Sequence, residues 1–158
     1  MDDTPPLTSE ELAEVKALID TWLNDRLVDN PVLASVEYDA DPGFNQHRWL
    51  ARLLGEEKES IMLHFTLKQR MLHFETYVVA QPEENHAAFY EYFLRRNRKL
   101  VGVAFCVGHE DAVYLTGALP AAEINEVALD RILGTVWVAV EESFQPALRI
   151  GFASRFKK

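Results

Sequence analysis

The stretch IMLHFTLKQRMLHFETYVV, residues 61–79, decides the fold class of this chain. Apolar and polar side chains alternate along both halves of it, which is typical of strands with one buried face. Lys68-Gln69 separates the halves and predicts a tight hairpin turn between two antiparallel strands. With the turn centred on these two residues, His64 lies opposite His73.

A helix is predicted on the N-terminal side of this hairpin. Thr8 and Glu11 have the spacing of a capping box, in which each residue's side chain bonds the other's backbone N–H. Apolar residues then recur at helical spacing along residues 12–27. Pro31 disfavours helical geometry at the residue before it, so we expect the helix to end there.

Two further helices are predicted on the C-terminal side. Pro82 and the two glutamates that follow it suit a first helical turn, and the basic residues 95–99 suit the last turn. The third helix spans about residues 122–145, and Pro146 is expected to end it.

The remaining patterns complete an α+β domain. Further strands are expected at residues 48–54, 101–107 and 112–116. The predicted order is α-β-β-β-α-β-β-α around an antiparallel sheet. A short extra strand near residues 32–38, turning at Asp41-Pro42-Gly43, stays an open alternative. We expect one domain over residues 1–146 and a basic tail over residues 147–158.

Charge and composition exclude several classes of function. The net charge of −9 disfavours nucleic-acid binding, because phosphates would be repelled. No apolar run approaches the about 20 residues of a membrane helix, and the acidic N-terminus does not resemble a signal peptide. Cys106 is the single cysteine, and we expect a buried structural thiol in a strand. The expected location is therefore a reducing cytoplasm, with no membrane and no nucleic acid as a partner.

No catalytic constellation is evident in the sequence. The serines lack a G-x-S-x-G elbow, and the seven glycines form no phosphate-binding motif. One chemical alternative remains, since His64, His73 and Glu75 fall on one strand face and could hold a divalent metal. The preferred interpretation is a half-exposed sheet face, with no catalytic residue, no metal and no cofactor.

The same sheet face is the predicted partner-binding surface. Met62, Met71 and Tyr77 accompany the two histidines, His64 and His73, and such a mixture suggests a face that another chain covers. The rim of this surface is expected to be basic. It consists of Arg95, Arg96 and Arg98, at the end of the second helix.

Parts of the chain resemble the YbjN-domain family, often labelled bacterial sensory transduction regulators. The motifs that carry the resemblance are QRMLHFETYVV (69–79), PEEN (82–85), YEYFLRRNRKL (90–100) and VYLTGALP with LDRILG (113–134). The tail ALRIGFASRF is similar to that of actinobacterial members. The resemblance implies a fold like that of class I type III secretion chaperones, with a homodimer as the expected assembly. It implies no catalytic residues.

These observations favour a non-enzymatic, dimeric binding protein. It would act as a regulator, adaptor or chaperone-like module for an unidentified protein or peptide partner. The alternative is a small-molecule or metal-dependent sensor or enzyme that uses His64, His73 and Glu75.

Overall fold

A computed structural model of the protein describes residues 5–41 and 46–157. Three α-helices accompany one sheet: α1 Ser9–Asp29, α2 His86–Asn97 and α3 Glu126–Gly151. The strands are β1 Leu33–Asp41, β2 Gln46–Leu54, β3 Ser60–Leu67, β4 Met71–Val79, β5 Val103–Val107 and β6 Val113–Pro120. All neighbours pair antiparallel, in the order β1-β2-β3-β4-β6-β5.

The α+β prediction is confirmed, with one strand more than its basic order contained. The extra strand left open near residues 32–38 is the nine-residue strand β1. Pro42 and Gly43 of the turn predicted after it lie outside the described residues. The capping box of α1 is also confirmed. The Glu11 backbone N–H donates to the Thr8 hydroxyl (3.1 Å), and the Thr8 N–H donates to the Glu11 carboxylate (3.0 Å).

The predicted hairpin between β3 and β4 is present, but its predicted register is wrong by two residues. His64 pairs with Glu75, and His73 pairs with Thr66. Gln69 and Arg70 occupy the turn instead of Lys68 and Gln69, and the Lys68 N–H donates to the Met71 carbonyl (2.9 Å). A shift of two residues keeps every side chain on its predicted face, because side chains alternate with a period of two.

Helix α2 begins four residues later than predicted. Asn85 adopts a positive φ of 54°, which interrupts helical geometry before His86. The backbone N–H groups of Glu83 and Glu84 donate instead to the carbonyl of Gly151 (2.9 and 3.1 Å). The two glutamates therefore bind the C-terminal part of the chain and do not form a first helical turn.

The helix end predicted at Pro146 is also wrong, since α3 continues to Gly151. Proline has no N–H to bond the carbonyl four residues before it. Because Pro146 is exposed, that carbonyl is on the solvent side of the helix. Ala147 and Gly151 are buried beyond it. A Cβ at Gly151 would overlap Phe89, so this last turn packs closely on α2.

The core lies between the three helices and one face of the sheet, called here the covered face. The buried side chains of the covered face are those of Trp49, Ala51, Leu53, Ile61, Leu63, Phe65, Leu67, Leu72, Phe74, Thr76, Val78, Phe105, Val113 and Leu115. Trp22 of α1 meets Phe65 edge-on at 6.1 Å between ring centres, and Phe93 of α2 lies 4.8 Å from Phe105. Helix α3 supplies further buried residues to the same cluster.

Cys106 is exposed, contrary to the expectation of a buried thiol. It lies on the edge strand β5, and its neighbour Phe105 points into the core while Cys106 points to the opposite side. The residues before and after Cys106 are both apolar, so the sequence did not indicate which face of the strand Cys106 occupies.

Candidate partner-binding face

The second face of the sheet, called here the outer face, is not covered by any helix that the structure describes. Its side chains on β2, β3, β4, β5 and β6 are Arg48, Leu50, Arg52, Met62, His64, Thr66, Met71, His73, Glu75, Tyr77, Ala104, Cys106, Tyr114, Thr116 and Ala118. Each of these is half-buried or exposed. The helices pack on the covered face only, which leaves this surface open.

The five sheet residues predicted for partner binding all lie on the outer face. Met62 and Met71 are half-buried, whereas His64 and His73 are exposed. Tyr77 is 41% exposed. The structure therefore brings these five together as the alternation predicted, while their role in binding stays a prediction.

A polar depression of ≈540 Å³ occupies the middle of the outer face. Two cross-strand pairs, His64–Glu75 and Thr66–His73, line it. Partial burial and, secondly, the nearby Lys68 ammonium lower the pKa of His73 below its ordinary value. His73 is therefore largely neutral at pH 7, and its ring offers one donor and one acceptor.

The metal hypothesis assumed that two imidazoles face each other, and the register removes that premise. His64 is opposite Glu75, and His73 is displaced by two residues along β4. Within residues 5–41 and 46–157 no three His, Cys, Asp or Glu side chains are close enough to hold a metal ion. Zinc needs at least three protein ligands in a catalytic site, so this geometry does not favour a metal centre.

The arginines predicted as the rim belong to the helical layer, and their place at the border of the outer face stays a prediction. They lie at the end of α2, which packs on the covered face through Phe93. Arg95 pairs with Glu91 of the same helix, and Arg96 pairs with Glu142 of α3, each at 2.7 Å. Arg98 is exposed. Arg95 and Arg96 are thus engaged in ion pairs within the helical layer.

Sequence reasoning missed the outer-face residues of the neighbouring strands. Arg48, Leu50 and Arg52 of β2 border β3, and Tyr114 of β6 lies edge-on to Tyr77 at 5.6 Å between ring centres. A signal for the β2 residues was present, because RWLARLL alternates with the same period as β3. The position of β6 beside β4 had no such local signal, since residues 80–112, which include α2 and β5, separate the two strands in the chain.

The two edges of the sheet differ. At the β5 edge the Asn97 side-chain amide donates to the Phe105 carbonyl (3.0 Å) and accepts from the Phe105 N–H (2.6 Å), as a neighbouring strand would. Asn97 thus covers part of an otherwise open edge. At the other edge, β1 pairs with β2 alone.

Comparison with known proteins identifies the family. Residues 18–149 match the YbjN family, described as "Putative bacterial sensory transduction regulator". The chain belongs to the YbjN family. Among its relatives are an uncharacterised protein of Mycobacterium leprae, 32% identical over 111 residues, and one of Mycobacterium tuberculosis H37Rv, 31% identical over 117 residues. The alignments cover 70% and 74% of this chain but only 60% and 64% of those relatives.

The matched region contains the outer face entirely. The resemblance noted from the sequence motifs is therefore confirmed at the level of the YbjN family and its mycobacterial relatives. Of the three helices that the structure describes, none is both long enough and apolar enough to cross a membrane.

Proposed function

We propose that this YbjN-family chain is a non-enzymatic, dimeric regulator or adaptor of the cytoplasm that binds another protein through its outer face. The observation that carries the proposal is the uncovered face of the six-stranded sheet. An antiparallel sheet commonly leaves one face exposed to solvent when the side chains of that face are polar. Here Met62, Met71, Tyr77 and Tyr114 interrupt the polar residues, and methionine and tyrosine are enriched in protein interfaces.

The size of the outer face suits a protein partner. Five strand spacings of about 4.8 Å and about seven residues of ~3.3 Å each span roughly 550 Å². A standard interface buries about 800 Å² on each partner. The outer face, with the loops at its borders, can supply most of such an area.

The composition of the face also suits selective recognition. Arg52 and Glu75 carry opposite charges, and His73 is largely neutral at pH 7 with one donor and one acceptor. Around the half-buried methionines, such groups select a partner by requiring complementary charges and hydrogen bonds. The alternative of a sensor or enzyme at His64, His73 and Glu75 receives less support, because two imidazoles do not face each other there.

Affinity capture from the cells that produce the protein tests this proposal. The wild-type chain is compared with Met71→Asp/Tyr77→Asp, which places two negative charges on the outer face. Arg95→Asp/Arg98→Asp, which changes exposed positions on the helical layer, is the matched control. Quantitative mass spectrometry should find one protein at near-equal amount with the wild type and with the control, and not with the outer-face variant.

Two results would contradict the proposal. Retention of the same protein by the outer-face variant would place its binding site elsewhere. If only the Arg95→Asp/Arg98→Asp control failed to capture the partner, binding would be assigned to the helical layer. Sedimentation velocity of the purified wild-type chain tests the homodimer separately, and a monomer at every concentration up to about 100 µM would rule out a stable one, since specific dimers assemble well below this concentration.

A further inference from the structure

We propose that the cavity at the end of β4 binds a ligand that joins an apolar body to a carboxylate, with Lys58 as the cation that the carboxylate meets. This site is separate from the polar depression on the outer face, although Tyr77 of the outer face also lines it. The inference does not depend on the proposed protein partner. The cavity has a volume of ≈340 Å³, at the lower end of the range of about 300–1,000 Å³ for small-molecule sites.

Apolar side chains form most of the cavity wall. Val79 comes from the end of β4, Phe144 and Leu148 come from α3, and Phe152 and Phe156 come from the segment after it. Leu148 lies beyond Pro146, so the continuation of α3 past the proline builds part of this wall. An apolar ligand body would be removed from water here.

Lys58 provides a positive charge in the lining of the cavity. Its Nζ lies 5.6 Å from the centre of the Tyr77 ring and 5.1 Å from the centre of the Phe144 ring. Among the described residues no carboxylate lies within 4.0 Å of this Nζ, although the chain is strongly acidic. Burial lowers the pKa of Lys58, as expected for an ammonium that lacks a carboxylate partner.

The position of Lys58 is fixed by the fold. The buried Glu141 carboxylate accepts hydrogen bonds from the backbone N–H groups of Glu56 (3.1 Å), Glu57 (2.6 Å) and Lys58 (3.4 Å). These bonds hold the loop between β2 and β3 against α3. Because the Lys58 backbone is already held beside the cavity, only its side-chain torsions remain to be ordered when an anion binds.

The other cation at the cavity is already neutralised. Arg155 pairs with Glu83, and the Ser154 hydroxyl donates to Glu84 at 2.9 Å. These contacts hold the C-terminal wall in place before any ligand arrives. An ammonium that contacts aromatic rings but has no carboxylate partner, beside an apolar cavity, favours an anionic group attached to an apolar body over a cation or a neutral alcohol of the same size.

Two sources can supply this chemistry, namely a free amphipathic carboxylate and the C-terminal carboxylate of a peptide that ends in an apolar residue. Hexanoate probes the first source, and the tripeptide Ala-Ala-Phe probes the second. Hexanol and the tripeptide amide are the matched probes without the charge, and acetate is the probe without the apolar body. Binding is measured on the purified full chain from the amide chemical shifts of Lys58, Tyr77 and Phe144.

We expect hexanoate or the free tripeptide to shift these amides in a saturable way, and the neutral probes and acetate to bind at least tenfold more weakly. Lys58→Met should weaken the charged probe by about tenfold or more, because it removes a charge-assisted contact. Lys68→Met, at an exposed lysine outside the cavity, is the control and should bind as the wild type does.

The two probes identify the source, since saturation by only one of them assigns the site to that class. The inference fails if neither charged probe shifts these amides at millimolar concentration. It also fails if hexanol binds as well as hexanoate, or if Lys58→Met binds the charged probe as tightly as the wild type does.

Discussion

The two faces of the sheet carry opposite kinds of side chain on the same strands. On β3, Leu63 and Phe65 are 0% exposed, whereas His64 between them is exposed. The covered face stabilises the fold through burial, and each fully buried large side chain contributes about 1.5–3 kcal/mol relative to exposure. The outer face contributes little to stability through burial. Its residues are therefore less constrained by folding, and substitutions on the two faces should have different effects on stability.

The largest expected difference is between neighbouring residues of β3. Phe65→Ala removes a ring that contacts Trp22 and Phe74, and should lower the free energy of unfolding by about 3–5 kcal/mol. His64→Ala changes the outer face and should alter it by no more than about 0.5 kcal/mol. Urea unfolding followed by far-UV circular dichroism measures both. Equal losses would mean that the two faces do not differ as described.

A smaller effect is expected where the sheet meets α3. Glu141→Ala leaves the N–H groups of Glu56 and Glu57 without their acceptor, and should cost about 2–3 kcal/mol. Glu142→Ala removes an exposed partner of Arg96 and should cost about 1 kcal/mol or less. The comparison uses the midpoint of urea unfolding. A larger loss from Glu142→Ala would show that the loop before β3 does not depend on Glu141.

The β5 edge gives a test that concerns one strand. Asn97→Ala removes both hydrogen bonds to Phe105 and should cost about 1–2 kcal/mol. Hydrogen exchange at the Phe105 amide should accelerate at the same time. Asn24→Ala, at an exposed position of α1, is the control and should leave that amide unchanged. Unchanged exchange in Asn97→Ala would mean that another group protects this edge.

The smallest expected effect depends on pH and joins α1 to α3 on the covered side. Hydrogen bonds from Arg26 (2.8 Å) and then from the Trp22 indole (2.8 Å) hold the pKa of Asp130 below its ordinary value of 3.8. A carboxyl whose pKa is lower in the folded state stabilises the fold above the unfolded pKa, and this contribution disappears as pH falls through the folded pKa. Asp130→Asn lacks this contribution.

The stability difference between the wild type and Asp130→Asn should therefore shrink as pH falls from roughly 5 to 3. Thermal unfolding at several pH values measures this difference, and Asp25→Asn on an exposed part of α1 is the control. A difference that stays constant over this interval would show that Asp130 acts by packing and not by charge.

Local patterns were sufficient to predict the faces but not the tertiary contacts. The alternation of β3 and β4 assigned the side chains of residues 61–67 and 71–78 to their correct faces, and Thr8 and Glu11 located the start of α1. The irregularity after Tyr77, which leaves Val79 buried, was not predicted. The register depended on more distant groups. The Leu7 N–H bonds the Gln69 carbonyl and the Ala121 N–H bonds the Arg70 carbonyl, and no residue of the turn reveals these contacts.

The helix boundaries failed for the same reason. Pro82 and the two glutamates after it match a helix start, but their backbone and side-chain bonds to the C-terminal segment compete with helical geometry. Pro146 matches a helix end, but packing of the turn beyond it maintains the helix. The arginines at the end of α2 were predicted as the rim of the outer face, and this stays a prediction because sequence distance does not show on which side of a sheet a helix packs.

The central claim is that folding does not require the side chains of the outer face. Unfolding of the Met71→Asp/Tyr77→Asp variant tests this claim most directly. Urea unfolding of this variant, followed by far-UV circular dichroism in dilute solution, should show a native spectrum and a cooperative transition. The loss should be at most about 2 kcal/mol, which a domain of about 5–15 kcal/mol tolerates. An unfolded spectrum without denaturant would contradict the claim, because it would place Met71 and Tyr77 in the core of the protein.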